Sequence, residues 1–80
     1  MAKKREYDLR YTDRFGRQRN VVRVLVDRDD DEALRTLLVS LIVQFEGYSR
    51  DKALKELPKH WMDVCEPGSA KPVRRFAGAQ

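Results

Sequence analysis

The sequence predicts an α+β fold in which an N-terminal antiparallel β-hairpin packs against one long and one short helix, in the order β-β-α-α. Three observations carry this reading. EYDLRYT and RQRNVVRVLVD alternate apolar and polar residues at period two across the turn sequence DRFG. LRTLLVSLIVQF then spaces its leucines as a helix does. GYSRDKALKEL supplies a glycine stop, a serine cap and a second, shorter helical pattern.

The first strand places Tyr7, Leu9 and Tyr11 on one side and Asp8, Arg10 and Thr12 on the other. In DRFG, Asp13 suits the first turn position, because its carboxylate accepts from nearby amides, and Gly16 suits the last. With residues 13–16 as a four-residue loop, Thr12 pairs with Arg17 and Tyr7 with Val22. The apolar face is then Tyr7, Leu9, Tyr11, Val22, Val24 and Val26. A one-residue slip would send every side chain to the opposite face, so burial selects this parity. The other face carries Glu6, Asp8, Arg10, Arg17, Arg19, Val21, Arg23 and Leu25, with Arg10 opposite Arg19 and Glu6 opposite Arg23.

The acidic run Asp27, Asp29, Asp30, Asp31 and Glu32 precedes the long helix, where carboxylates face the positive end of its dipole. Asp29 or Asp30 is the expected N-cap. The run lacks the alternating ligands and central glycine of a calcium loop, so capping is favoured over a metal site. Leu34, Leu37, Leu38, Leu41 and Phe45 form the face expected to cover the hairpin. Val39, Ile42 and Val43 widen it, which calls for cover on more than one side: a second helix, a third strand or another copy of the chain. Gly47 ends the helix. Ser49 caps the short one, with Ala53, Leu54 and Leu57 inward, and Pro58 stops it. KHWMDVC reads as one more helical turn or a short third strand near 60–65, with Trp61 a satellite core residue. Glu66, Pro67 and Gly68 read as the end of the fold. The expected organisation is therefore a single domain over residues 1–66 and a flexible, disordered basic tail over 67–80.

A chain of 80 residues with 41% hydrophobic and 38% charged residues is too apolar for general disorder and too charged for a membrane protein. Its longest near-apolar run, LLVSLIVQF, is too short to span a bilayer. No apolar segment follows MAKKREYD, so a cytoplasmic protein is expected. The net charge of +4 is segregated. Residues 1–28 hold nine basic and four acidic side chains, residues 29–66 nine acidic and five basic, and the tail adds Lys71, Arg74 and Arg75. A lone cysteine, Cys65, excludes an internal disulfide. With the lone His60 it cannot complete a zinc site without carboxylates or a second chain. Cys65 reads as a small semi-buried hydrophobe and His60 as a surface or boundary residue. No phosphate-cradling glycine loop and no oriented nucleophile–base pair is present, so no enzyme activity, cofactor or metal is expected.

VRVLVDRDDDEAL followed by GYSRDKALKEL resembles the strand–helix–Gly-x-Ser–helix order of ribbon-helix-helix repressors over residues 22–57. That resemblance implies paired strands in a major groove and an obligate dimer. The chain departs from the pattern in three places. A complete hairpin partner precedes the strand, Pro58 falls where the second helix should continue, and Val21 and Leu25 stand where base-contacting polar residues belong. Membership does not follow.

The functional expectation rests on the arginines. The hairpin region is almost free of lysine, and a merely soluble face has no need of the forked guanidinium. Arg10, Arg14, Arg17, Arg19 and Arg23 are the candidate contact residues for nucleic acid or an acidic protein surface. Lys3, Lys4, Arg5, Arg74 and Arg75 are auxiliary mobile charges. The first reading is a non-enzymatic nucleic-acid-binding module held by phosphate contacts. The alternative is a protein-binding regulator or inhibitor of phage or plasmid accessory type, such as an inhibitor of a host defence nuclease. A homodimer is compatible with either.

Overall fold

The computed structural model describes residues 3–13 and 15–79, without the side chains of Arg19 and Asn20. Its elements are β1 (Arg5–Thr12), β2 (Gln18–Val26), α1 (Asp31–Glu46), α2 (Arg50–Glu56), a 3-10 turn (Leu57–Lys59), β3 (Trp61–Cys65) and β4 (Pro72–Ala77). The strands form one antiparallel sheet in the order β2-β1-β3-β4. The expected hairpin and two helices are present, and two further strands follow them. Residues 72–77, expected in a disordered tail, form the edge strand β4.

The reason lies in EPGS. Gly68 has φ +77°, and Ser69 N donates to Glu66 O at 2.9 Å. This is a reversal with Pro67 and Gly68 at its centre, for which proline fixes one φ and glycine supplies a positive one. The chain therefore turns back rather than leaving. Gly78 completes the docking: its N–H donates to His60 O at 2.9 Å, and a β-carbon there would collide with the backbone carbonyl of Leu57.

The first turn forms as its residues require. Gly16 N donates to Asp13 O at 2.9 Å, and the buried Asp13 carboxylate accepts from Phe15 N and Arg17 N, each at 2.9 Å. Asp13 N also donates to Arg17 O, so Arg17 pairs with Asp13 and Gln18 with Thr12, one position from the expected register. A bulge between Arg10 and Thr12 adds a further offset. Tyr7 consequently pairs with Val24 and Leu9 with Val22, two positions from the expected register. A slip of two preserves parity. The apolar face is the expected one, with Tyr7, Leu9, Tyr11 and Val26 buried and Val22 and Val24 packed against the core from its margin.

Asp30 caps α1 by accepting from Ala33 N, and Gly47 ends it in the left-handed conformation. Ser49 caps α2 by accepting from Lys52 N. Leu34, Leu38, Val39, Leu41 and Ile42 of α1 are buried with Met62, Val64 and Phe76 from the new strands. The wide apolar surface of α1 is thus covered by α2 and by the second half of the sheet. Ala53 and Leu57 point inward, but Leu54, expected to do the same, is 47% exposed. His60 is not a boundary residue. It is buried, with Nδ1 2.8 Å from the Tyr11 hydroxyl, which in turn donates to Glu46 Oε2 at 3.1 Å. A buried imidazole is tolerable only with such partners.

Candidate functional site: the uncovered face of the sheet

Parity assigns two faces to the four strands. Tyr7, Leu9, Tyr11, Met62, Val64 and Phe76 look toward the helices, and the intervening residues look away. The register aligns the outward residues in rows. One row runs Val21, Arg10, Asp63, Arg75 across the four strands. The next runs Arg23, Asp8, Cys65, Pro72. Positive and negative charges therefore alternate across the face.

The pairs are specific. Arg23 Nε donates to Asp8 Oδ1 at 2.9 Å and its Nη2 to Oδ2 at 3.4 Å. Arg75 binds Asp63 in the same two-pronged way, at 2.7 and 3.2 Å. This is the geometry in which a guanidinium recognises a carboxylate. Gly68 N, brought over by the β3–β4 turn, also donates to Asp8 Oδ2 at 2.8 Å. The Arg23 hydrogen bond and then the Gly68 amide hold the Asp8 carboxyl below its ordinary value, although burial opposes them. The same pairs raise Arg23 and Arg75. Cys65 is fully enclosed on this face. Burial raises its thiol above the ordinary value, and the nearby Arg10 charge only partly opposes that. Arg10 itself is half-buried within the first row, and its Nε is enclosed with no hydrogen-bond acceptor among the described residues.

The expected arginine cluster is thus redistributed. Arg10 and Arg23 are brought together on this face, and Arg75, expected as a mobile tail charge, joins them. Arg10 faces Val21 rather than Arg19, and Arg23 faces Asp8 rather than Glu6. Arg17 stands at the turn, its Nε 3.3 Å from Asp13 Oδ2. Arg14 and the Arg19 side chain lie outside the described residues. Arg74, the other expected tail charge, is an anchor instead. It donates to Arg28 O at 2.7 Å and to Asp31 Oδ1 at 2.6 Å, tying β4 to the start of α1. Arg5 reaches Glu66 at 3.4 Å. Lys3 and Lys4 are exposed beside β1.

Apolar groups interrupt the charges. Val21 is 41% and Leu25 64% exposed. Trp61, expected in a satellite core, lies on this face partly buried, with the Arg75 guanidinium 5.9 Å from its ring centroid. Tyr7, Tyr11 and Phe76 are all turned inward, so that of the aromatic rings on the four strands Trp61 alone is on the open side. His60 and Cys65, close in sequence, point to opposite sides of the sheet and make no pair. Among the described residues no group of three or more His, Cys, Asp or Glu is placed to hold a metal ion. No helix among them is long and apolar enough to cross a membrane. In ribbon-helix-helix repressors the strand corresponding to β2 pairs across a dimer; here β1 of the same chain takes one of its sides.

Comparison with protein-family models, with curated proteins and with solved structures finds no match. The class is set by geometry alone: a small α+β unit with a four-stranded antiparallel sheet, helices on one face and a charge-alternating surface on the other.

Proposed function

We propose that this chain is a small non-enzymatic binding module that docks a protein partner on the uncovered face of its sheet, as a regulator or inhibitor would. The observation that carries this reading is the alternation itself. Arg17, Arg23 and Arg75 are each already tied to a carboxylate of the chain, and Val21, Leu25 and Trp61 stand between them. A surface of mixed sign with apolar anchors complements another such surface, and Arg and Trp are enriched where interfaces carry their energy. A polyanion presents one sign only, so Asp8 and Asp63 oppose it. One aromatic ring is also a poor platform for stacked bases.

Nucleic-acid binding is the second reading. It is favoured by the side-chain exposure of Arg17, Arg23 and Arg75, which stays at 63%, 53% and 61% despite their pairing.

One double substitution moves the two readings in opposite directions. Val21→Lys with Leu25→Lys adds two charges and removes two apolar contacts. Docking on a protein surface weakens, whereas affinity for DNA or RNA rises and acquires a steeper salt dependence, by about 0.9 in log–log slope per added phosphate contact. Anisotropy with labelled duplex and single-stranded oligonucleotides, alongside affinity capture from cell extract by both forms, separates them. Tight, salt-sensitive oligonucleotide binding strengthened by the double variant defeats the protein-docking reading.

A further inference from the structure

The sheet has two edges of different construction. β4 is six residues long, opens on Pro72, and is bulged against β3 between Val64 and Cys65. Short length, proline and a bulge are devices that keep an edge from pairing with another chain. β2 is bulged against β1 at its start, between Gln18 and Val21, but is neither short nor broken by proline. It runs nine residues, QRNVVRVLV, with no proline, glycine or lysine. Its Val22 and Val24 are only partly covered by the core. Beneath its C-terminal half an open groove of about 450 Å³ lies between the strand and α1. Leu25, Val26, Ala33 and Leu37 line it, and Asp27, Asp30 and Glu32 ring it together with Lys4, so that three carboxylates outnumber the one ammonium. At the other end of β2, the turn presents Phe15, 65% exposed, with the Arg17 guanidinium 5.4 Å from its ring centroid. The strand thus carries an aromatic–basic knob at one end and an apolar, acid-rimmed groove at the other.

We infer that β2 is a homodimerisation edge, pairing antiparallel with β2 of a second copy about a two-fold axis to make one eight-stranded sheet. An antiparallel two-fold is the operation that lays each copy's knob on the other's groove, and a self-complementary patch closes at two copies. Full overlap of residues 18–26 places Val22 on the axis, opposite Val22 of the second copy. Arg23 then faces Val21, and Arg17 faces Asp27. No like charges meet in this register. A slip of two residues in one direction would set Arg23 against Arg23, and a slip in the other shortens the overlap without bringing Arg17 to Asp27. The net charge of +4 disfavours self-association in general. The segregation of that charge reverses the sign locally, because basic turn meets acidic helix start. The pairing shares Arg17 and Leu25 with the proposed docking surface and leaves its Arg75 and Trp61 side open, and sedimentation of the chain alone tests the edge without any partner, so either proposal can fail without the other.

Sedimentation of the full chain from micromolar to millimolar concentration is expected to show a species of twice 9.4 kDa. Phe15→Asp, and separately Asp27→Lys with Glu32→Lys, are expected to raise the dimer dissociation constant by about tenfold or more with unchanged circular dichroism. Val22→Cys supplies a positional test. Residues facing each other across an antiparallel pair have α-carbons about 4.5–5.5 Å apart, within disulfide range. Mild oxidation is expected to join the introduced thiols into a covalent dimer, while the enclosed Cys65 stays reduced. A monomer at every concentration, a dimer indifferent to Phe15→Asp, or a dimer in which the introduced thiols at position 22 remain free overturns the inference.

Discussion

The two faces of this sheet are made by the same four strands and held by different forces. The inward face is a continuous apolar layer: Tyr7, Leu9, Tyr11, Met62, Val64 and Phe76 are buried beneath α1 and α2. The outward face has almost no apolar cover, yet Asp8 and Cys65 are as hidden there as a core residue. Arginine stems and the Pro67–Gly68 turn hide them, since a long charged side chain can lay its methylenes over a neighbour while its head stays wet. The inward face therefore sets stability, and the outward one sets alignment. Each two-pronged pair, Arg23 with Asp8 and Arg75 with Asp63, closes only when the strands are in this register. Such a face can be read by a partner because its charges are already fixed in place.

The largest expected effect comes from the inward side. Ile42 is fully buried in α1. Ile42→Ala is expected to cost about 2–5 kcal/mol, from lost transfer energy and the cavity left behind. That is a large share of the roughly 5–15 kcal/mol by which small domains are stable. Leu25→Ala, the outward control, is expected to stay within about 0.5 kcal/mol. Urea midpoints at constant m-value measure both. Equal costs would erase the distinction between the faces.

Next in size is the joint that brings β4 into the sheet. Gly78→Ala must displace the Leu57 backbone. An expected cost of about 1–3 kcal/mol follows, as for overpacking elsewhere. Limited proteolysis should then cut the C-terminal segment of the variant before the wild-type chain. A variant as stable and as resistant as wild type would mean that β4 contributes little, and that the sheet is in effect three-stranded.

The sequence exposed the inward face more readily than the outward one, for a physical reason. Period-two alternation in β1 and β2, and the caps Asp30, Gly47 and Ser49, are local signals, legible within a few residues. Even the misplaced hairpin register left the faces intact, because the pairing of Asp13 with Arg17 at the turn and the bulge between Arg10 and Thr12 each shift it by one, two in all. Residues 72–77 were harder. PVRRFA is short, and its arginines and preceding EPGS resemble a solvated tail. What makes it a strand is pairing with β3 and the fit of Gly78 against Leu57. Asp8 shows the same limit. Its alternation places it outward, but its burial depends on an amide sixty residues later, and no spacing rule reaches that far. The arginines at 10 and 23 were visible as residue types; the carboxylates that hold Arg23 and Arg75 were not visible as their partners. Trp61 and His60 exchanged places relative to expectation, because one position in β3 decides which side of the sheet is reached.

The smallest effect tests the outward face alone, and it is read through pH. The Asp8 carboxyl is held below its ordinary value, chiefly by the Arg23 hydrogen bond and then by Gly68 N–H. A carboxyl depressed in the folded chain binds its proton more readily when unfolded. Its contribution to stability is therefore complete above the unfolded carboxyl value of about 4 and is lost as pH falls through the folded value. Asp8→Asn cannot titrate. Its stability, measured by urea midpoints, should fall below wild type near neutrality, and the gap should narrow as the pH drops below about 4. The sign matters more than the size, because the paired Arg23 side chain is half exposed and solvent weakens the pair. A gap that stays constant with pH would mean that Asp8 acts through packing and shape. Charge would then not be what aligns β1 with β2, and the outward face would have to be held by the same burial that holds the inward one.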